Sequence, residues 1–158
     1  MTSATDTIRI FPPEQVTDHF LLSEFASPAG CGCPGADYPA EWISTRLLPL
    51  CKTLEVLRAE CGGYPVEILS GYRTREYNAA RRAAGHDTAI NSQHCEGLAA
   101  DVRIGGISSA AVHACLLLLH RQGKIRLGGL GYYPEFVHLD LRSGETLAQW
   151  SDPARDVA

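Results

Sequence analysis

Apolar residues recur at helical spacing along the first third of the chain. Within residues 41–61 they would share one face of a helix, at Trp42, Leu47, Leu50, Cys51, Leu54 and Leu57. Gly62 and Gly63 follow, and glycine is typical of the end of a helix. The pattern therefore predicts a long amphipathic helix over residues 41–61.

Farther along, apolar residues alternate with polar ones, as they do in half-buried strands. Three such runs are VEILSG at residues 66–71, LAADVRIG at residues 98–105 and FVHLDLR at residues 136–142. Successive side chains of a strand point to opposite faces, so Asp101 and His138 fall on the polar faces of the second and third runs. The pattern predicts three strands, two of which carry an ionisable face.

Two further helices are predicted around these strands. The first covers residues 74–83, with Thr74 as its cap and Gly85 after its end. The second runs from a cap at Ser108 or Ser109 through residue 120 and ends near Gly123. A helical first third followed by strands and packed helices predicts an α+β fold with a mainly antiparallel sheet.

The length of the chain fits a single domain. A chain of 158 residues is long enough to bury one core and too short for a second catalytic module. No internal repeat, low-complexity tract or long linker divides it. We expect loose ends over residues 1–12 and 151–158, and one folded domain over residues 13–150.

Charge and composition exclude several classes of function. The chain has 18 acidic and 14 basic residues, a net charge of -4 and no long run of either sign, so nucleic acid is not an expected partner. The longest apolar run, residues 114–119, is too short to span a membrane. The first residues lack the apolar core of a secretory signal, and synthesis as a cytoplasmic product is expected.

The six cysteines allow two interpretations. A disulfide framework is one, but free thiols are expected in a chain without a secretory signal. Cys31 and Cys33 lack the two-residue gap of common zinc knuckles, so the role and redox state of their loop stay open. Cys51 and Cys115 occupy helical apolar patterns and are expected to fill core space.

Two histidines and one aspartate carry the candidate chemistry. His94 precedes the second predicted strand, Asp101 lies seven positions later within it, and His138 lies in the third strand. If these strands are neighbours, two imidazoles and a carboxylate meet, and such a set holds zinc with one position left open for water. Strand histidines that only make hydrogen bonds are the alternative, and spacing alone does not decide between the two.

Three ordered motifs give the chain a family resemblance. SGYRT with Asn78 soon after it, SQHCEGLAAD and GLGYYPEFVHLDLR together resemble the zinc-dependent D-alanyl-D-alanine carboxypeptidases, their vancomycin-resistance relatives and several phage peptidoglycan endolysins. The resemblance covers residues 18–150 and is most specific over residues 70–142. It implies the hedgehog/DD-peptidase type of α+β fold and a carboxypeptidase-like peptidase domain over residues 13–150.

The resemblance also implies roles for individual residues. Zinc (Zn²⁺) would be held by His94, Asp101 and His138. Arg73, in the SGYRT motif, would contact the substrate and help to stabilise the transition state, which suits a guanidinium because it stays charged and offers two donors.

The resemblance also implies which residue is the general base, through an acidic position of the family. In peptidase members of the family it stands three positions before the last zinc histidine, and here that position is Glu135. A carboxylate in reach of a zinc-activated water can accept its proton and pass it to the leaving amine. Asp140 shares a strand face with His138, where it is expected to orient that histidine, and it is the substitute base.

The expected function is hydrolysis of peptide bonds in peptidoglycan stem peptides by a zinc metallopeptidase. The sequence leaves open whether the enzyme is a D-Ala-D-Ala carboxypeptidase or an endolysin-type endopeptidase, and it gives no oligomeric state. Release to the cell wall, as for phage proteins, is an alternative to a cytoplasmic location. A noncatalytic zinc-containing binding module of the same fold, as in the hedgehog signalling domain, is the alternative function.

Overall fold

The structure is a computed structural model that describes residues 14–30 and 32–152. The predicted loose end over residues 1–12 lies outside the described residues, as do Cys31 and the last six residues of the other predicted loose end. The described chain opens with a small antiparallel pair of strands, β1 (Gln15–Thr17) and β2 (Phe20–Leu21). A single 3-10 turn follows over Leu22–Phe25.

The predicted first helix is confirmed, but its first two turns are not α-helical. A 3-10 turn over Ala40–Trp42 and a π-helical turn over Ile43–Leu47 lead into α1, Leu48–Glu60. Pro49, which has no N–H to donate, lies in the first turn of α1 directly after the π-helical turn. Gly62, after the end of the helix, has a φ of 81°, a conformation that glycine adopts at little cost.

The other two predicted helices are confirmed together with their caps. Helix α2 is Arg75–Ala83, and the Thr74 hydroxyl accepts a hydrogen bond from the backbone N–H of Tyr77 at 3.1 Å. Helix α3 is Ser109–Arg121, and Ser108 is the capping residue. No helix within residues 14–30 and 32–152 combines the length and apolar character that crossing a bilayer requires.

A five-stranded sheet forms the centre of the domain. Its strands are β3 (Val66–Ser70), β4 (Ala99–Ile104), β5 (Gly129–Tyr132), β6 (Val137–Asp140) and β7 (Ala148–Ser151). They lie in the order β3-β4-β6-β5-β7, and every pair is antiparallel except β5 with β7. The α+β fold and the mainly antiparallel sheet are therefore confirmed, and β3, β4 and β6 are the three predicted strands.

Strand β5 was not predicted, because glycine is depleted in strands and GLGY shows no alternation. The structure supplies a reason for the glycines. A Cβ at Gly129 would collide with the carboxylate of Asp140, and a Cβ at Gly131 would collide with the indole of Trp150. The two glycines leave room for side chains that stand on the polar face of the sheet.

The apolar face of the sheet packs into one hydrophobic core with the helices. Fully buried side chains from α1, α3 and the central strands meet there, among them Leu50, Leu54, Leu57, Val102, Leu116, Leu119 and Leu139. The opposite face of β4 and β6 carries buried polar groups at Asp101, His138 and Asp140. Because one face of the sheet is committed to the core, the register of β4 and β6 fixes which polar side chains meet on the other.

Candidate metal centre and active site

Asp101 and His138 are direct partners across two neighbouring strands. Strands β4 and β6 are antiparallel, and their register places Asp101 opposite His138. The Asp101 Oδ1 atom lies 2.9 Å from His138 Nδ1. The side-by-side arrangement on which the predicted site depends is therefore present.

His94 reaches the same point from the loop before β4. Its backbone carbonyl accepts a hydrogen bond from the N–H of Arg73 at 3.1 Å, which ties the loop to the end of β3. Its Nδ1 lies 2.7 Å from the carbonyl oxygen of Gly71. A carbonyl only accepts hydrogen bonds, so Nδ1 carries the proton, and the lone pair of Nε2 faces Asp101 Oδ1 at 3.2 Å.

His138 is oriented in a comparable way by Asp140. Its Nε2 lies 3.0 Å from Asp140 Oδ2, and donation to that carboxylate makes Nδ1, which faces Asp101, the nitrogen that would bind a metal. Asp140 is fully buried and also accepts hydrogen bonds from the guanidinium of Arg142 at 2.8 and 2.6 Å. Burial acts to raise the pKa of Asp140, but the hydrogen bonds from Arg142 and His138 outweigh it, and the pKa lies well below its usual range.

The three donor atoms form a compact set for a cation. Ligand atoms of His94, Asp101 and His138 lie within 4.8 Å of one another, and all three residues are buried. Burial alone would raise the pKa of Asp101, yet the two histidines hold it far below the usual range, so the carboxylate is charged. A divalent cation bound here would take the place of the proton through which an imidazole holds the buried carboxylate.

Arg73 lies beside this set and is almost fully buried. Its Nη2 donates to Asp101 Oδ2 at 3.1 Å, and its Nε donates to the hydroxyl of Ser70 at 2.9 Å. Burial lowers the pKa of Arg73, although the charge of Asp101 acts in the opposite direction. The guanidinium is thus held in one place, next to the candidate ligands and at the surface of a cavity.

The cavity has a volume of about 510 Å³, and two of its sides differ in origin. We call the first the sheet wall; it consists of Asp101, His138, Arg142 and Trp150, with Asp140 buried beside His138. We call the second the helix wall; it consists of Tyr77 and Arg81 from α2 and of Asp87, Thr88 and Ala89 from the loop after it. His94 and Arg73 also line the cavity.

Trp150 belongs to the sheet wall although the sequence reasoning missed it. It comes from β7, which pairs with β5 in parallel, and its ring lies 5.1 Å from that of His138. Its indole N–H donates to the hydroxyl of Tyr133 at 3.0 Å. No periodic signal marks this four-residue strand, so only the assembled sheet brings Trp150 to the cavity.

Glu135 is the predicted site residue that lies apart from the others. It is exposed on the loop between β5 and β6 and is not among the residues that line the cavity. Its charge acts on Arg103, whose pKa is raised mainly by the hydrogen bond to Glu67 and to a smaller extent by Glu135. The structure brings together His94, Asp101, His138 and Arg73, but it does not bring Glu135 to them.

The cysteines of the core do not take part in the site. Cys51, Cys61, Cys95 and Cys115 carry free thiols in the structure. Cys51 is fully buried in the core, and burial raises the pKa of its thiol. The role and redox state of the loop that holds Cys31 and Cys33 stay open, since Cys31 lies outside the described residues.

A protein-family model described as Peptidase M15 matches residues 18–140. The chain belongs to the Peptidase M15 family. Peptidoglycan L,D-endopeptidase MepK of Escherichia coli (strain K12) is 38% identical to this M15 chain over 78 residues, which cover 48% of this chain and 40% of that protein. A probable peptidoglycan L,D-endopeptidase MepK of Haemophilus influenzae is 38% identical over 77 residues, which cover 48% and 38%. The matched segment spans less than half the length of these relatives.

Proposed function

We propose that the chain is a zinc metallopeptidase that cleaves peptide bonds in peptidoglycan stem peptides. Membership of the Peptidase M15 family supports the reaction class, and the relatives named peptidoglycan endopeptidases support the substrate class. The single observation that carries the proposal is the convergence of His94, Asp101 and His138 at the surface of one cavity.

The donor set fits zinc. It offers two imidazole nitrogens and one carboxylate oxygen, which is a set that catalytic zinc sites use with a fourth position left open. We assign His94 Nε2, Asp101 Oδ1 and His138 Nδ1 as the ligand atoms, since these are the atoms that face one another. Bound zinc supplies Lewis acidity, which lowers the pKa of a water and polarises a carbonyl.

Arg73 would act on the substrate carbonyl. Its guanidinium is fixed by Ser70 and Asp101 and lies at the cavity surface, so no large movement is needed before it meets a substrate. Positive charge fixed in advance stabilises the negative charge that develops on a carbonyl oxygen during hydrolysis. We therefore propose Arg73 as the residue that stabilises this developing charge.

Glu135 is the proposed general base, and Asp140 is the alternative. Asp140 has both carboxylate oxygens bonded, to His138 and Arg142, which favours an orienting role over proton transfer. Glu135 is exposed and three residues from His138, and the loop that carries it must bring it toward the cavity when substrate binds. Loop closure of this kind is common where a site is completed by its substrate.

The bond that is cut has two candidates. The relatives are named peptidoglycan L,D-endopeptidases, which supports an endopeptidase that cuts an L,D bond. The motif resemblance implies a D-Ala-D-Ala carboxypeptidase that removes the terminal residue. The two activities release different products from the same substrate, so one digest separates them.

The experiment is a digest of purified peptidoglycan with mass spectrometry of the soluble products. Zinc-loaded protein is expected to release shortened or uncross-linked stem peptides, and free D-alanine would instead identify the carboxypeptidase. A chelator should abolish the products and added zinc should restore them. Unchanged peptidoglycan, with zinc verified in the protein, would refute the proposed activity and favour a noncatalytic binding module.

A further inference from the structure

The helix wall contains two buried hydrogen-bond donors without a partner. Besides the acceptor Asn78 Oδ1, the buried side-chain atoms that make no hydrogen bond among the described residues are Arg81 Nε and Thr88 Oγ1. Both residues line the cavity that contains the zinc ligands. Buried polar groups are nearly always satisfied in folded proteins, and a ligand in the cavity could satisfy these two donors after a small rotation of either side chain.

The local fold places these donors together. Tyr77 and Arg81 are four residues apart on α2 and both line the cavity, which is the spacing of one helix face. The loop after α2 turns back on the helix, because the N–H of His86 donates to the carbonyl of Arg81 at 3.0 Å. The Asn78 amide holds the same loop by donating to the carbonyl of Ala89 at 2.9 Å. Thr88 is thereby held on the Arg81 side of the cavity.

The charge of Arg81 is not neutralised by the protein. No carboxylate within the described ranges forms an ion pair with it, although Asp87 lines the same cavity. Arg73, by contrast, is paired with Asp101. Arg81 stands in the last turn of α2, where a positive charge suits the helix dipole, but that effect does not require a buried, unbonded Nε.

We propose that Arg81, assisted by the hydroxyl of Thr88, binds a carboxylate of the peptide substrate in a subsite beside the zinc ligands. A guanidinium matches a carboxylate with two parallel donors, and the threonine hydroxyl adds a third. The carboxylate belongs either to the C-terminus of the stem peptide or to one of its side chains. This inference rests on the proposed function, since it takes a stem peptide as the ligand.

The test compares two adjacent arginine variants on a set of amidated peptides. The substrates are a synthetic stem pentapeptide and versions in which each carboxylate in turn is replaced by its amide. Wild-type protein should lose about tenfold or more in kcat/KM on one of the amides, which identifies the bound carboxylate. Arg81→Gln should no longer distinguish that amide from the carboxylate, whereas Arg82→Gln, at a position that does not line the cavity, should keep the wild-type preference.

Two results would overturn the subsite. One is an Arg81→Gln protein that keeps the wild-type preference, and the other is a loss of equal size on every peptide, which a structural role would produce. Arg81→Lys keeps the positive charge but lacks the two parallel N–H donors of the guanidinium, so it should retain part of the preference. This variant also covers the case in which Arg81→Gln does not fold. If zinc-loaded wild type turns over none of the peptides, the proposed function fails. The subsite is then tested by calorimetric dissociation constants, which should show the same preference for one carboxylate peptide over its amide in wild type and its loss in Arg81→Gln.

Discussion

The two walls of the cavity differ in how completely their polar atoms are bonded. On the sheet wall Asp101, His138 and Asp140 contact one another or an arginine through their ionisable atoms. On the helix wall Arg81 and Thr88 leave buried donors unbonded. The difference indicates that the protein itself holds the sheet-wall groups in fixed positions, as catalysis requires. The helix wall has all of its donors bonded only when a ligand is present.

Removal of one sheet-wall ligand should have the largest effect. His138→Ala leaves two protein ligands, so we expect zinc binding to be lost and peptidoglycan cleavage to fall by roughly 10³-fold or more. Zinc content and cleavage rate are measured on the same preparation. His113→Ala removes a histidine of α3 whose ring contacts Tyr132, and it should change neither quantity.

A Glu135 variant tests whether the loop between β5 and β6 brings this residue to the sheet wall during turnover. Glu135→Gln keeps the size of the side chain and removes its charge, so zinc content should stay normal while kcat falls by about 10²- to 10⁴-fold. Glu145→Gln, which alters another exposed loop glutamate, is the matched control. A normal kcat for Glu135→Gln would remove this residue from the mechanism and direct attention to Asp140.

Asp140 should affect the metal without being one of its ligands. Asp140→Asn weakens the bond that orients His138 and removes the charge that pairs with Arg142, so zinc affinity should fall by about 10- to 100-fold. A competition titration with a zinc chelator measures the change. If excess zinc restores the wild-type rate, Asp140 is a positioning residue; a rate that stays low at full zinc occupancy would indicate a direct role in proton transfer.

The smallest expected effect lies far from both walls. The carboxylate of Glu55 accepts hydrogen bonds from Thr17 and from the backbone N–H of His19, each at 2.8 Å, and so ties the first strands to α1. Burial acts to raise the pKa of Glu55, but these hydrogen bonds lower it overall. A carboxylate with a lowered pKa stabilises the fold above the unfolded pKa of about 4.3, and the stabilisation is lost as pH falls through the lower folded value.

Glu55→Gln should therefore lower the free energy of unfolding by about 1 kcal/mol at pH 7. The difference from wild type should shrink as the pH falls through the folded pKa of Glu55. Denaturant unfolding of the metal-free protein at several pH values measures this. An equal loss of unfolding free energy at every pH would show that the charge of Glu55 is not the cause. A changed preference between the carboxylate and amide peptides would show that general destabilisation affects the helix wall.

The parts of the fold that repeat a pattern were predictable. The long first helix, both capped helices and the strands of Asp101 and His138 all follow from periodicity and capping residues, which are local properties. The meeting of His94 with these two residues followed from the motif resemblance. Local pattern places His94 only in a loop, and the contact with Gly71 that orients it lies far away in sequence.

The remaining parts depend on long-range packing. Strand β5 is glycine-rich because large neighbours on the sheet need its space, and β7 becomes a strand only by adding to β5. Trp150 reaches the cavity through this tertiary arrangement, which no spacing in the sequence displays. The exposed position of Glu135 is likewise a property of a loop, whose path the alternating pattern of β6 does not define.

The most direct test of the central claim is the rate of peptidoglycan cleavage as zinc is titrated into metal-free protein. The account predicts that the rate rises with bound zinc and saturates at one zinc ion per chain, and that Asp101→Ala neither binds the ion nor gains activity. Full cleavage by the metal-free protein, or an active Asp101→Ala protein, would contradict the assignment of His94, Asp101 and His138 as the catalytic zinc site.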